Sequence, residues 1–270
     1  MRLAQHIAEA AVPPGEIALF SLSQAGFCFK TPAGKTLWLD PYLTDCCERE
    51  FGFRRMIPAL VTPAEVAADV FLVTHSHLDH LDTDALPTIA PSPRTHFVGA
   101  ADCGEAFAQC GLSPDRYTLL RPGDRVEREG IGIQAVYCDH GKLAPEALGV
   151  VLTFDGLRVY VTGDTAFSPE PILASLPLPV DVMIAPINGA FGNLNSREAC
   201  ARAALIGPRL LIPCHFWMFV EQGGDPAACL ACAAESLPEV AVAVLAPGEE
   251  LRYSVAGGLL SRRTFAPEAD

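Results

Sequence analysis

Three of the chain's seven histidines and one aspartate fall within six residues, His75-Ser76-His77-Leu78-Asp79-His80. Imidazole and carboxylate are the donors that borderline divalent ions take, so ligands this dense point to a metal centre. The run follows Asp69-Val70-Phe71-Leu72-Val73, an apolar, branched stretch that reads as a buried strand. A ligand cluster placed where a strand gives way to a loop is held by the sheet and still open to substrate. Three later apolar stretches also end in candidate ligands: Ala135-Val136-Tyr137-Cys138-Asp139-His140, Val159-Tyr160-Val161-Thr162-Gly163-Asp164 and Leu211-Ile212-Pro213-Cys214-His215. Taken singly, each has an ordinary explanation as a strand-end histidine or a Gly-Asp turn. Asp40, after Leu37-Trp38-Leu39 and before Pro41, reads equally as a turn residue or as a carboxylate that orients a ligand histidine.

The elements that must position these groups follow from periodicity and turn residues. Residues 17–31 and 35–40 read as two strands joined by Pro32-Ala33-Gly34, and 42–64 as a long irregular segment of the kind that often forms a lid. Helices are expected near 82–90 and 101–110, around a short strand at 95–99. Strands are expected at 117–120, 124–128, 131–138, 148–154 and 157–162, with turns at Pro122-Gly123-Asp124 and Asp155-Gly156. A short helix after Ser168-Pro169-Glu170, a strand at 181–186, a helix at 196–206 and a strand at 209–213 come next. Asn195 and Glu198 have the spacing of a capping box for the helix at 196–206. A helix from Asp225 to Leu237 and a final pair of strands complete the pattern. Strands then helices, twice over, predict an α/β fold: a four-layer αββα sandwich in a single domain spanning 1–270.

Composition narrows the partners. The 270 residues are 50% hydrophobic and 19% charged, which fits a packed enzyme rather than a disordered chain. A formal charge of −13 disfavours nucleic acid. No apolar run is long enough for a bilayer, and Met1 to Ile7 lacks the apolar core of a signal peptide, so a cytoplasmic protein is expected. The ten cysteines sit mostly in apolar surroundings and read as reduced thiols. Cys229 and Cys232 form a C-x-x-C within the helix at 225–237, without a second pair to complete a zinc site.

The pattern H-x-H-x-D-H, with His140, Asp164 and His215 following in order, resembles the metallo-β-lactamase superfamily. The resemblance implies two divalent ions: His75, His77 and His140 on the first, Asp79, His80 and His215 on the second, Asp164 bridging. Class B1 β-lactamases place Cys where Asp164 stands, and flavodiiron oxidoreductases place Glu where His77 stands; neither substitution is present. Val12-Pro13-Pro14-Gly15, Gln24-Ala25-Gly26-Phe27 and the tract from Val161 through Asn188-Gly189 to Trp217 look like the L-ascorbate-6-phosphate lactonase family. That likeness implies lactone opening by a metal-bound hydroxide, with Asp79 relaying a proton to the leaving group. It implies Mn, the superfamily as a whole Zn, and a site of this kind also accepts Fe. Related lactonases form oligomers, so a homo-oligomer is an expectation by analogy. Two departures bear on the substrate: Ser76 stands where lactonases carry Asp, and the segment from Asp40 to Asp69 is short. For an anionic small-molecule substrate, Arg54, Arg55, Lys142 and Arg197 are the candidate contacts. The alternatives are a phosphodiesterase acting on a small phosphate ester, or a metal-binding sensor without turnover.

Overall fold

The computed structural model describes residues 2–264. It opens with α1 (Leu3–Glu9) and β1 (Glu16–Ser23), β2 (Gly26–Lys30) and β3 (Thr36–Leu39). Then come α2 (Cys46–Phe51), β4 (Val70–Val73), α3 (Leu86–Ile89), β5 (His96–Ala100), α4 (Gly104–Gln109) and β6 (Tyr117–Leu120). The second half contributes β7 (Arg125–Arg128), β8 (Ile131–Tyr137), β9 (Leu148–Phe154) and β10 (Leu157–Val161), then α5 (Pro169–Ser175) and β11 (Val182–Pro186). It closes with α6 (Ser196–Ile206), β12 (Leu210–Cys214), α7 (Pro226–Ser236), β13 (Ala241–Val242), β14 (Glu250–Ser254) and β15 (Gly258–Arg263).

Among the described residues these strands form an eight-stranded sheet, β15-β14-β1-β2-β3-β4-β5-β6, and a seven-stranded sheet, β13-β12-β11-β10-β9-β8-β7. Strands of the second sheet are apolar on both faces. Val182, Ile184, Leu210 and Ile212 join the core shared with the first sheet, while Met183, Ala185 and Leu211 pack with Ile172, Ala199, Ala203 and Cys229 of α5, α6 and α7. That two-sided burial is why β11 and β12 read as continuous apolar runs rather than alternating ones. Helix residues Leu3, Ile7, Leu86, Ile89 and Phe107 belong to the same core as the first sheet. The result is the expected αββα layering.

Both sheets aim the same kind of strand end at one place. β3 and β4 run parallel, and so do β10, β11 and β12. β8 runs in the direction of β10, because β9 lies antiparallel to both. The carboxyl ends of β3, β4, β8, β10 and β12 therefore deliver Asp40, the histidine run, His140, Asp164 and His215.

The structure corrects three expectations. Residues 17–31 are a hairpin, not one strand: Gln24 and Ala25 form its turn, with Ser23 and Gln24 at φ 72° and 54°. Neither turn position, Gln24 or Ala25, is Gly, Pro, Asn, Asp or Ser, so the break carries no usual signal. The helix foreseen at 82–90 shortens to α3, because Asp82 accepts hydrogen bonds from the Asp84 and Ala85 amides and holds a turn before it. The 42–64 segment is partly helical, as α2. The expected closing pair of strands, β14 and β15, is present and returns to the first sheet beside β1. The capping box is present: the Glu198 amide donates to Asn195 Oδ1 and the Asn195 amide to Glu198 Oε2, each at 3.0 Å, and Gly207 ends α6 at φ 69°.

Phe29 of β2 stacks on Phe154 of β9 across the two sheets, ring centroids 5.4 Å apart. Truncation there removes a fully buried ring from the shared core. Phe29→Ala is expected to cost about 3–5 kcal/mol, read as a lowered urea midpoint with unchanged slope.

Candidate metal centre

Each of the seven strand-end ligands lies in one buried well. The imidazole and carboxylate atoms group as His75, His77 and His140; as His75, His80 and Asp164; and as Asp79, His80 and His215, with the atoms of each group mutually within 4.8 Å. Five of the seven histidines meet here; the others, His6 and His96, face Glu250 and Thr118.

The hydrogen bonds around the well set which nitrogen each ring turns inward. Asp40, at φ 42°, is 1% exposed and accepts from the Thr74 amide at 2.8 Å and the Thr74 hydroxyl at 2.6 Å. Its Oδ2 also lies 2.8 Å from His80 Nδ1. That contact puts the His80 proton on Nδ1 and leaves Nε2 facing Asp164 Oδ1 at 3.4 Å. Thr74 Oγ1, donating to Asp40, accepts from His75 Nδ1 at 3.1 Å, so His75 Nε2 also turns inward. His77 Nε2 donates to the Leu143 carbonyl at 3.2 Å. His77 Nδ1 then sits 3.0 Å from His75 Nε2 and 3.3 Å from His140 Nε2. Three imidazole nitrogens with lone pairs aimed at one point are the arrangement a cation satisfies. His80 Nε2, facing Asp164 in the well, is buried without a hydrogen-bond partner, and His215 turns its Nε2 to Asp79 and Asp164 at 3.3 and 3.2 Å. The donor set, nitrogen and oxygen without thiolate, fits Zn, Mn or Fe.

Asp164 follows Gly163, whose φ of 66° and approach to the Leu148 carbonyl leave no room for a side chain; a Cβ would lie 2.4 Å from that oxygen. Asn193 Nδ2 donates to Asp164 Oδ2 at 2.7 Å. Asp79 Oδ2 receives Gln24 Nε2 at 2.8 Å and Gln222 Nε2 at 3.2 Å, and lies 3.3 Å from His215 Nε2. Sequence reading missed Gln222 and Asn193 and met Gln24 only as part of a family likeness. The one retrospective signal for Gln24 is conformational: an unbranched polar residue at positive φ, which the sequence does not display.

Electrostatics divide the histidines. Burial holds His140 down to about 4, and burial with the neighbouring His80 holds His75 well below the ordinary range, so both rings are neutral. Burial would also lower His80 and His215, but Asp164 and Asp79 outweigh it; His215 rises to about 9 and His80 is held well above its usual range. Burial works against ionised Asp79 and Asp164, yet His80 and His215 keep both carboxyls far below their ordinary range. Without metal, two protonated imidazoles balance two carboxylates.

None of the four candidate substrate cations lines the cavity over the well. Arg55 donates to the Ile57, Thr44 and Tyr42 carbonyls and lies over the Tyr42 ring at 4.7 Å, so it braces the 42–64 segment. Arg54 lines a separate surface groove with Asp45 and Glu48. Lys142 and Arg197 are exposed and absent from the cavity lining.

Two outcomes test this centre. Asp40→Asn presents an amide donor to three groups that all donate to Asp40, so metal affinity should fall 10–100-fold by competition with a chelating indicator. Metal uptake must displace the His80 and His215 protons, so affinity should weaken as pH falls, and calorimetry at neutral pH in buffers of different ionisation enthalpy should read net proton release.

The model of the beta-lactamase superfamily domain matches residues 18–215. A UPF0173 metal-dependent hydrolase of Methanosphaerula palustris is 32% identical over 170 residues, covering 58% of this chain and 73% of that protein. Another, from Polynucleobacter asymbioticus, is 29% identical over 227 residues, 77% of each chain. The metallo hydrolase Igni18 of Ignicoccus hospitalis shares the fold at a TM-score of 0.71 and 19% identity, over 88% of this chain and 99% of that one. An isothiocyanate hydrolase from Delia radicum gut bacteria does so at 0.71 and 18%, over 88% and 99%. No helix among the described residues is long and apolar enough to cross a membrane. With its matching domain model, its αββα layers and its strand-end histidine and aspartate ligands, the chain belongs to the metallo-β-lactamase superfamily.

Proposed function

We propose that this protein is a metal-dependent hydrolase that opens a lactone or cleaves a related carboxylic ester at a pair of divalent ions. His75, His77 and His140 would hold one ion, and Asp79, His80 and His215 the other, with Asp164 between them. The observation that carries this reading is the convergence of all seven side chains in one well, with the inward nitrogens of His75, His77 and His140 aimed at one point. The names of the UPF0173 relatives support the hydrolase class. Two ions there would supply an activated water and a Lewis acid for the oxygen under attack.

The chain's own residues do the rest. Asp40 and Thr74 fix the His80 and His75 tautomers, and Asn193 fixes the Asp164 carboxylate. Gln24 and Gln222 hold Asp79 Oδ2. Asp79 lines both the well and the cavity above it, so it is the group placed to receive a proton from the attacking water and pass it to the leaving oxygen.

Protein reconstituted separately with Mn and Zn is expected to hydrolyse a simple γ-lactone, and His77→Ala to abolish that. Asp79→Asn should lower kcat by roughly 10²–10⁴-fold, the range of a lost acid–base group. Turnover of bis(p-nitrophenyl) phosphate without any lactone or ester would replace the carboxylic ester reading by phosphodiester cleavage.

A further inference from the structure

The cavity above the well, about 350 Å³, is within the range of small-molecule sites. Its floor is polar: His77, Asp79, His140 and Asp164. Its walls are mostly apolar and come from five separate chain segments. Phe53 stands at their centre, ring centroids 6.0 Å from Phe51, 5.9 Å from Phe191 and 5.9 Å from Phe219. Leu78 and Leu143 complete the lining, and no Lys or Arg among the described residues belongs to it.

The outermost groups are left largely in water. Phe51 is 61% exposed, Leu143 56% and Phe191 48%. Leaving three large apolar side chains in water around one opening forgoes burial that an interior position would supply. Phe191 is further held at φ 53°, a conformation that bulky residues rarely adopt, with Gly192 beside it at φ 82°. A left-handed backbone that presents an aromatic ring to solvent at a pocket mouth is accounted for by contact with a ligand. The cations that sequence reading offered for an anionic group are elsewhere, so no side-chain cation of the cavity is placed to receive a charged group remote from the metal floor.

We propose that the substrate is uncharged and amphipathic: an electrophilic lactone or ester head, carried to the metal floor, with an alkyl or aryl group lodged among Phe51, Phe53, Phe191 and Phe219. This deepens the hydrolase reading above and rests on it. It sets aside a phosphorylated sugar lactone, whose phosphate would find no cation in the cavity.

The test uses metal-loaded protein and the series γ-butyrolactone, γ-heptalactone and γ-undecalactone, with L-ascorbate 6-phosphate as the anionic member. The same alkyl chains on the corresponding γ-lactams, which resist hydrolysis, give binding by calorimetry independently of turnover. The expected result is a kcat/KM that rises roughly two- to fourfold per buried methylene, lactam affinities that rise in parallel, and no preference for the phosphate. Phe51→Ser and Phe191→Ser, both at exposed positions, should flatten that dependence, and Phe191→Leu should restore most of it. Lactams that bind more tightly with chain length, without hydrolysis of any lactone, would support the apolar pocket and overturn the lactonase reading. Lactone turnover indifferent to chain length would do the reverse. Absence of lactam binding, or a preference for L-ascorbate 6-phosphate over the neutral lactones, would overturn the inference.

Discussion

Five imidazoles and two carboxylates share a space too dry to solvate any of them, and much of the surrounding structure follows from that. Isolated, each carboxylate would be driven to the neutral form by burial. Together, protonated His80 and His215 hold Asp79 and Asp164 ionised. The well is therefore already arranged for positive charge, and divalent ions would take the place of protons rather than impose a new field. Such a cluster is stable only if its geometry is fixed from outside, because any ring that swung away would strand a buried charge.

The fixing comes from a surrounding layer of polar groups and from backbone shape. Asp40 acts on His80 directly and on His75 through the Thr74 hydroxyl, so one carboxylate sets two ring orientations. Asp79 and Asp164 are each gripped by side-chain amides. Several of the holding positions have left-handed backbone: Gln24, Asp40, Gly163, Phe191 and His215. Backbone strain gathers at the ends of strands that a sheet holds rigidly, where the surrounding structure can over-determine it.

Above the ligands the character changes within a few ångströms. The floor presents imidazoles and carboxylates, and the walls are mostly rings and aliphatic carbon. The 42–64 segment supplies Phe51 and Phe53 and is itself held by Asp82, which accepts from the Leu43 and Thr44 amides at 2.8 and 2.7 Å, and by Arg55. The arginine that sequence reading offered to a substrate instead braces the wall on which the substrate would rest. The candidate ligands and the apolar cavity wall thus sit on different parts of the fold, the first on strand ends and the second on loops.

The sequence by itself determined the fold class, the order of most elements and the seven residues that the structure gathers. It could do so because ligation demands particular side chains and because a strand must be apolar to be buried; both leave marks at fixed positions. The capping box of α6 was legible for the same reason. What only tertiary structure decided were relations between segments far apart in the chain. Gln24 and Gln222 reach Asp79 because a hairpin turn and a loop 198 residues later meet over one carboxylate. β14 and β15 pair with β1 because that edge was open, which no local pattern announces. The role of Arg55, and the apolar cavity made by Phe53, Phe191 and Phe219, depended on which loops pack together. Side-chain type and spacing are local and survive in one dimension; the partners of an amide, a guanidinium or an aromatic ring are set by packing and exist only in three.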